Sequence, residues 1–425
     1  MAAAYVEPVH ILFLTHYYRP ESNAPANRVS ELAQAWVDAG HRVSVVTGVP
    51  NHPGGKPYPG YRNAMYQTET IDGVEIIRLG TFMAPNEGIL RRLLNYLSYL
   101  AAVVLNMFRL PRADVVISTS PQFFAGLAGA VVATLQRRPW VLEIRDIWPE
   151  SIAAVGAMKR GVGLRAIEAI EAWAYRRADQ VVVVSPAFVP HVTERGPLRR
   201  PAAIIENGVD LGVFPGAKAA EGTPVPTGLE GRVVFGYIGT HGMAHALETV
   251  LRAAALTADD DRIGWLLVGS GAERERLVAL KGALGLHNLV MLDHQPRSAM
   301  PRVWSSIDVS LVVLRRSDVF LRVIPSKMFE AMAMSRPIIL CVDGEARRIV
   351  EFGECGVFIP PEDPGALATA ARTMVEDPTL RARLGAAGAR FVRANYDRTV
   401  LADRYMAVIN GVVSASASDR PSASN

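Results

Sequence analysis

Lys327 and Glu330 stand three residues apart in VIPSKMFEAMA, Val323 to Ala333. Pro325 and Ser326 read as the entry to a helix, which puts the lysine in the first turn. A helix N-terminus carries partial positive charge, so a cation there is disfavoured by about 0.3–1 kcal/mol. Two partners would account for it. Glu330 at i,i+3 can pair with it on the helix surface. Alternatively, a phosphate lies against the free N–H groups of the helix end, and the lysine then adds to the attraction.

FGYIGTHGMAHALETVLRAA supplies a second group of this kind. Gly236, Gly239 and Gly242, with Thr240 and His241 between them, lie between an apolar strand and a helical pattern starting near Met243. Glycines there let a phosphate approach the backbone and the helix end; a plain strand–helix turn uses them equally. Two such helix ends at one sheet edge would form a pyrophosphate clamp. VGSGAE adds a third small-residue turn, Gly269 to Gly271. His241 and His245 have i,i+4 spacing, but HGMAH lacks the glutamate of a zinc-protease helix. Asp259 to Asp261 fall in a solvated loop. No metal site is expected.

In the first half, EIRDIWPES sets Arg145 and Asp146 at the end of an apolar strand, as a structural ion pair or as a functional pair. TSP, with Ser120, and HYYRPESNAPANR, from His16 through Tyr17 to Arg28, occupy the matching rim.

The elements that must position these residues are legible as alternation. HILFLTHYY, HRVSVVTG, DVVISTS, WVLEIRD and QVVVVS are apolar strands separated by helical patterns, the first helix running from about Pro25 to Ala39. Such runs imply a parallel sheet covered on both faces, with ligands beyond the carboxyl ends of the strands. Gly208 to Gly231 is rich in Gly and Pro and reads as an interdomain crossing. The alternation then restarts with VVFGYIG, GWLLVGSG, NLVMLD, DVSLVVL and PIILCV. The chain's 425 residues exceed what one core serves, which also argues for two domains. A net charge of +4 is too small to argue for nucleic acid. The two cysteines, Cys341 and Cys355, sit in apolar surroundings and read as thiols of a reducing compartment. MAAAYVEPVH lacks the basic start and apolar core of a signal peptide, which suits a cytoplasmic protein.

One helical stretch stands apart, Gly88 to Leu110. Its run from Leu93 to Phe108 carries no charge. At about 16 residues it is shorter than the roughly 20 needed to cross a bilayer. Arg91, Asn95, Ser98, Ala102, Asn106 and Arg109 share one face, and Leu, Val, Tyr and Phe fill the other. The pattern fits a helix lying on a membrane or one packed by its apolar face on the sheet.

Taken in order and spacing, HYYRPE…R, GHRVSVVTGVPNHPGG, TSPQFFAG, EIRDIWPES, ENGVD, GYIGTHG, VGSGAE and IPSKMFEAMA resemble a GT-B glycosyltransferase. More narrowly, the chain is similar to the retaining family 4 enzymes of the WbuB/WcaI-like group, which build bacterial surface polysaccharides such as O-antigen. The resemblance covers about Val9 to Ile409. It implies two Rossmann-like, doubly wound parallel-sheet domains facing a cleft. Residues 1–212 would bind the acceptor and 213–390 the nucleotide-sugar. Residues 391–413 would form a helix crossing back to the first domain, and 414–425 a disordered tail.

The resemblance also implies roles. Glu330 matches the glutamate that binds the ribose hydroxyls. Gly239, Thr240, His241, Gly242, Gly269, Gly271, Ser326 and Lys327 fall at the donor diphosphate. Asp146 falls near the donor sugar, and His16, Tyr17, Arg28, Ser120 and Arg145 on the acceptor side. The family uses no metal and no cofactor; the nucleotide-sugar is a substrate. Two departures stand out. The first of the family's paired glutamates is Arg322 here, and the usual Arg and Lys after the glycine turn are replaced by Thr240, His241 and His245, so that Lys327 and Arg322 would carry the phosphate charge. The implied reaction moves a sugar, an N-acetylated or deoxy hexosamine, from UDP (GDP being the alternative) to a sugar on a polyprenyl diphosphate, with retention. The enzyme would work on the inner face of the plasma membrane through the helix at 88–110. A sugar-nucleotide 2-epimerase and a non-catalytic nucleotide-sugar-binding scaffold are the rival readings.

Overall fold

Fourteen strands and thirteen α-helices form from these patterns in the described part of a computed structural model, which covers residues 7–21, 23–52, 54–84, 89–120, 123–147, 161–216 and 228–418. The chain divides into two units, residues 1–206 with 401–425, and residues 207–400.

The first unit is built on β1 (His10–Leu14), β2 (Arg42–Gly48), β3 (Tyr66–Ile71), β4 (Val74–Leu79), β5 (Val115–Thr119), β6 (Trp140–Ile144), β7 (Gln180–Val183) and β8 (Ala203–Ile204). The sheet order is β3-β4-β2-β1-β5-β6-β7-β8. All pairs are parallel except β3 with β4. That hairpin turns at Asp72 and Gly73, both with positive φ, as a two-residue Asp-Gly turn requires. Strands β1 and β5 flank the point where the strand order reverses, the place where open α/β sheets bind ligands. Helix α1 (Ala24–Asp38) starts where Asn23 caps it, its side chain accepting from the Ala26 N–H at 2.9 Å.

Helix α2 (Ile89–Asn106) packs on the sheet but divides its apolar residues between two sides. Its start at Gly88 lies outside the described residues. Its polar stripe faces the domain: Asn95, Ala102 and Asn106 are buried beside Tyr99 and Val103. The Asn95 side chain donates to the Phe82 carbonyl at 2.6 Å, and Ser98 accepts from the Phe82 N–H at 2.8 Å. A second apolar group faces outward: Leu94, Leu97 and Leu105, with Phe108 of the following 3-10 turn, are exposed, the last two by 72% and 78%. The helix therefore covers the sheet with Tyr99 and Val103, its polar stripe alongside them, and leaves a second apolar group outside. Among the described residues no helix is long and apolar enough to cross a membrane.

The second unit holds β9 (Val233–Ile238), β10 (Ile263–Val268), β11 (Leu289–Leu292), β12 (Val309–Val313), β13 (Ile338–Cys341) and β14 (Gly356–Phe358), ordered β11-β10-β9-β12-β13-β14 and all parallel. This is the doubly wound order, with its reversal between β9 and β12. The helix expected from Met243 begins later. Met243–His245 is a single 3-10 turn, Ala246 adopts the left-handed region, and the α-helix runs Glu248–Leu256.

The division between the units falls at 206/207 and 400/401. Residues 391–400, expected in the returning helix, belong to the second unit. The helix Arg398–Ser418 brings Leu401, Tyr405, Ile409 and Val412 into a core with Val29, Leu32 and Trp36 of α1. The Trp36 indole donates to the Ala402 carbonyl at 3.1 Å. Residues 414–418, expected to be disordered, continue the helix, with Ser418 donating to the Ser414 and Ala415 carbonyls. Residues 419–425 lie outside the described residues.

Candidate functional site

In the second unit, the residues singled out by type converge at the carboxyl ends of β9 and β10. The turn after β9 and the turn after β10 pack backbone to backbone. A Cβ on Gly269 would lie 1.9 Å from the Gly239 carbonyl oxygen, and one on Gly271 would lie 2.5 Å from that of His241. Both have φ near +150°, so no other residue fits. The turns are tied by the His241 N–H to the Ser270 carbonyl (2.8 Å) and the Glu273 N–H to the His241 carbonyl (2.9 Å).

Lys327 opens the helix Lys327–Ala333 as expected, but the surface pair with Glu330 is not formed. Its amine lies 3.6 Å from the centre of the Tyr237 ring and is buried with no hydrogen-bond acceptor. A Cβ on Gly239 would stand 2.7 Å from it, so the amine borders the glycine turn. Burial pushes the lysine down to about 7, the charge of Glu330 opposing. The aromatic face favours the cation and works in the same sense as Glu330. Tyr237 is held in place by donating from its hydroxyl to the Thr240 carbonyl at 2.8 Å.

His241 is fully buried, and neither ring nitrogen has a partner. Burial, with the charges of Arg274 and Lys327, lowers it to about 4. His245 is lowered to about 4 by burial and Lys327, against a hydrogen bond to the Gly242 carbonyl. Both imidazoles are neutral at pH 7. Glu330 accepts from the Trp304 indole N–H at 3.0 Å. Ser326 is exposed and makes no side-chain cap, so its hydroxyl is available. Arg322 is exposed at the end of the 3-10 turn Asp318–Arg322. The second helix end expected at the glycine turn is displaced, because a 3-10 turn and a left-handed residue intervene before Glu248.

Tyr237, Trp304 and Arg274 join this site without having been assigned to it by sequence. Arg274 reaches the Gly269 and Leu292 carbonyls and pairs with Asp293 at 2.6 Å. Tyr237, at a strand end two residues before a turn glycine, carried a positional signal; Trp304 carried none.

In the first unit the rim residues separate into two groups. His16 follows β1 and is buried among Tyr17, Tyr96 and Tyr99, at 4.6, 5.6 and 5.4 Å between ring centres. Burial lowers it to about 4, a hydrogen bond with Asn95 opposing. Tyr17 also meets His52 edge-on at 5.4 Å. Ser120, Arg145 and Asp146 form the other group. Ser120 accepts from the Arg145 N–H at 2.8 Å, and Ser120 and Asp146 line one small cavity with Phe123, Glu171 and Tyr175.

Arg28 sits inward of the rim, and the Arg145 side chain turns inward from it. Arg28 is buried, bonded to Glu143 at 3.2 Å and to the Ile205 and Glu206 carbonyls. Arg145 lies 3.9 Å from the same carboxylate. Burial would raise Glu143, but the two guanidinium charges and the hydrogen bonds from Arg28 and Thr119 outweigh it and hold it low. Both arginines are engaged by an interior carboxylate. Among the described residues no three His, Cys, Asp or Glu gather as a metal site needs.

Residues 23–208 match the model of a glycosyl transferase 4-like domain, and residues 225–391 that of the glycosyl transferases group 1. The chain is 23% identical over 366 residues to the putative colanic acid biosynthesis glycosyl transferase WcaI of Escherichia coli, covering 84% of this chain and 89% of that one. Its structure resembles sucrose-phosphate synthase from Thermosynechococcus elongatus, with a TM-score of 0.71 and 20% identity over 96% of this chain and 100% of the other. It also resembles HepE of Anabaena crystallised with UDP-glucose, with a TM-score of 0.66 and 17% identity over 95% of this chain and 100% of the other.

Proposed function

The chain belongs to the family 4 glycosyltransferases of the GT-B fold, and on that premise we propose that it transfers a hexosamine, N-acetylated or deoxy, from a UDP-linked donor to a polyprenyl-diphosphate-linked sugar, with retention and without a metal, in bacterial surface polysaccharide synthesis. One observation carries the donor half. At the reversal point of the second sheet, a buried ammonium without an acceptor borders two interlocked glycine turns. A buried cation is costly unless paired, and a diphosphate supplies the pair. The crystallisation of the structural relative HepE with UDP-glucose supports the nucleotide.

The chemistry follows from charge. When the bond from C1 of the sugar to the phosphate oxygen breaks, charge develops on the leaving diphosphate. Lys327 and the backbone N–H groups of the glycine turns stabilise it in place. Glu330, oriented by Trp304, holds the ribose hydroxyls. The acceptor oxygen bonds to C1 from the leaving-group side and its proton passes to the departing phosphate, so no separate base is required. Asp146 then positions the acceptor or steadies the positive sugar. The outward apolar face of α2 supports work at a membrane surface on the cytoplasmic side, where a lipid-linked acceptor resides.

Calorimetric titration with UDP and with GDP, with and without a chelator, tests the donor half. Binding of one nucleotide, indifferent to chelator and strongly weakened in Lys327→Ala and Glu330→Ala, is the expected result. Unchanged affinity in both folded variants overturns it. Release of nucleoside diphosphate only when acceptor is present distinguishes a transferase from an epimerase, and binding without turnover marks a scaffold.

A further inference from the structure

Three nitrogen groups surround the Tyr237 ring: the Lys327 amine at 3.6 Å, and the rings of His245 and His241 at 5.9 and 6.1 Å. His245 differs from the other two in having a defined direction. Its Nδ1 lies 3.3 Å from the Gly242 carbonyl oxygen. A carbonyl only accepts, so Nδ1 carries the hydrogen and Nε2 is left as a base. The ring is half-buried rather than sealed in.

The groups facing it are cationic or neutral. Lys327 and His241 are beside it. Arg274 acts on His241 from the following helix, and the Arg315 N–H binds the Ala244 carbonyl at 2.9 Å within the same 3-10 turn. Tyr237 is the ring beneath. The carboxylates nearby act through others: Glu330 on Lys327, Asp293 on Arg274, and Glu248 on Arg315 and Arg276. Among the described residues an imidazolium here has no anion of its own, so His245 is neutral unless an anion binds, in agreement with its lowered value near 4. An incoming diphosphate reverses that balance, because it brings negative charge among three nitrogen groups and no carboxylate intervenes.

We propose, resting on the diphosphate reading of this site, that His245 takes a proton from solvent onto Nε2 when a nucleoside diphosphate binds. The resulting imidazolium donates to a phosphate oxygen while Nδ1–H keeps the Gly242 carbonyl. The positive charge that an arginine or lysine after the glycine turn would hold permanently is here acquired on binding. The free site avoids burying that second cation beside Lys327, and nucleotide affinity falls as pH rises.

Titration calorimetry of the full chain with UDP and with GDP, in three buffers of different ionisation enthalpy, counts the protons. At pH 7.5–8.5 the nucleotide's own phosphate is fully ionised, so the count reports the protein. The expected result is net uptake that declines towards pH 8.5. Lys327, itself part-neutral near pH 7, also gains a proton on binding, so His245→Gln is expected to cut the uptake to the lysine's share and to weaken binding about tenfold at pH 7. His245→Lys, charged at the outset, should restore affinity with no more uptake than His245→Gln shows. His241→Asn, which removes the other neutral imidazole, should leave the uptake in place. Binding with no buffer dependence, or an uptake in His245→Gln as large as in the unaltered chain, overturns the assignment and leaves the donor site standing. Failure of both nucleotides to bind any folded form overturns the donor reading and this inference with it.

Discussion

Lys327 shows how a single residue can be arranged against its own stability. Its amine is buried over Tyr237 without an acceptor, and its value falls from the ordinary lysine range to about 7. Between those two limits the unfolded chain binds more protons than the folded one, so stability rises with pH from about 7 to about 10.5. His16, His241 and His245, lowered to about 4, give the same sign between about 4 and 6.5. Lys327→Met removes the upper rise. Thermal melts across pH should show the variant gaining stability at pH 7 and losing the slope above it, while nucleotide binding disappears. A variant that is less stable at pH 7 would mean that the amine is a structural cation paired by the ring. Trp304 acts through Glu330. Trp304→Phe removes the indole donor at 3.0 Å, a charge-assisted bond worth about 1.5–3 kcal/mol. Steady-state kinetics should show the donor KM rising about tenfold with kcat little changed. An unaltered KM would separate Glu330 from the nucleotide.

Among the elements, α2 is the one whose orientation matters most. Its polar side chains satisfy loop carbonyls and N–H groups inside, and Leu94, Leu97 and Leu105 point out with Phe108 beyond its end. Leu105→Glu sits on that outer face, so its effect on stability should stay within about 0.5 kcal/mol. Co-sedimentation with vesicles of bacterial lipid should nevertheless be lost. Retained binding would assign the apolar face to a protein partner. Val103, fully buried on the same helix, is the contrast: Val103→Glu buries an unpaired charge and should unfold the first unit. The paired glycine turns are the second such element. Gly271→Ala drives a Cβ towards the His241 carbonyl from a backbone with φ +153°. It should cost more than about 1 kcal/mol and open the turn that borders Lys327, so melting temperature and nucleotide affinity should fall together.

At the scale of the whole molecule, the chain's end completes its beginning. Leu401, Tyr405, Ile409 and Val412 fill a core with α1, and Trp36 bonds to Ala402. A chain ending at Val400 exposes that core and should be recovered unfolded or proteolysed in its first unit. A chain ending at Ser418 should melt like the full-length protein. Limited proteolysis followed by mass measurement distinguishes the two. Equal resistance of both would show that the helix is dispensable to the core it enters.

The sequence by itself determined the two doubly wound sheets, since continuous apolar runs alternating with helical patterns have few other solutions. It also picked out Gly239, Gly269, Gly271, Lys327 and Glu330, because glycines at strand ends and a lysine at a helix start conflict with local propensity unless something outside the local structure repays them. Asp72-Gly73 is a hairpin signal, but β3 is polar and only half-buried and escapes a search for buried parallel strands. Tertiary structure alone decided the rest. Which face of α2 is buried depends on the loop groups waiting beneath it, so an amphipathic pattern leaves inside and outside undetermined. Arg28 and Arg145 read as rim cations until the fold brings Glu143 between them, 115 residues away from Arg28. Tyr237 and Trp304 gained their roles from the neighbours that packing gave them. Charge and period are properties of a chain, whereas a partner is a property of a position in space, and that position exists only once the sheet has formed.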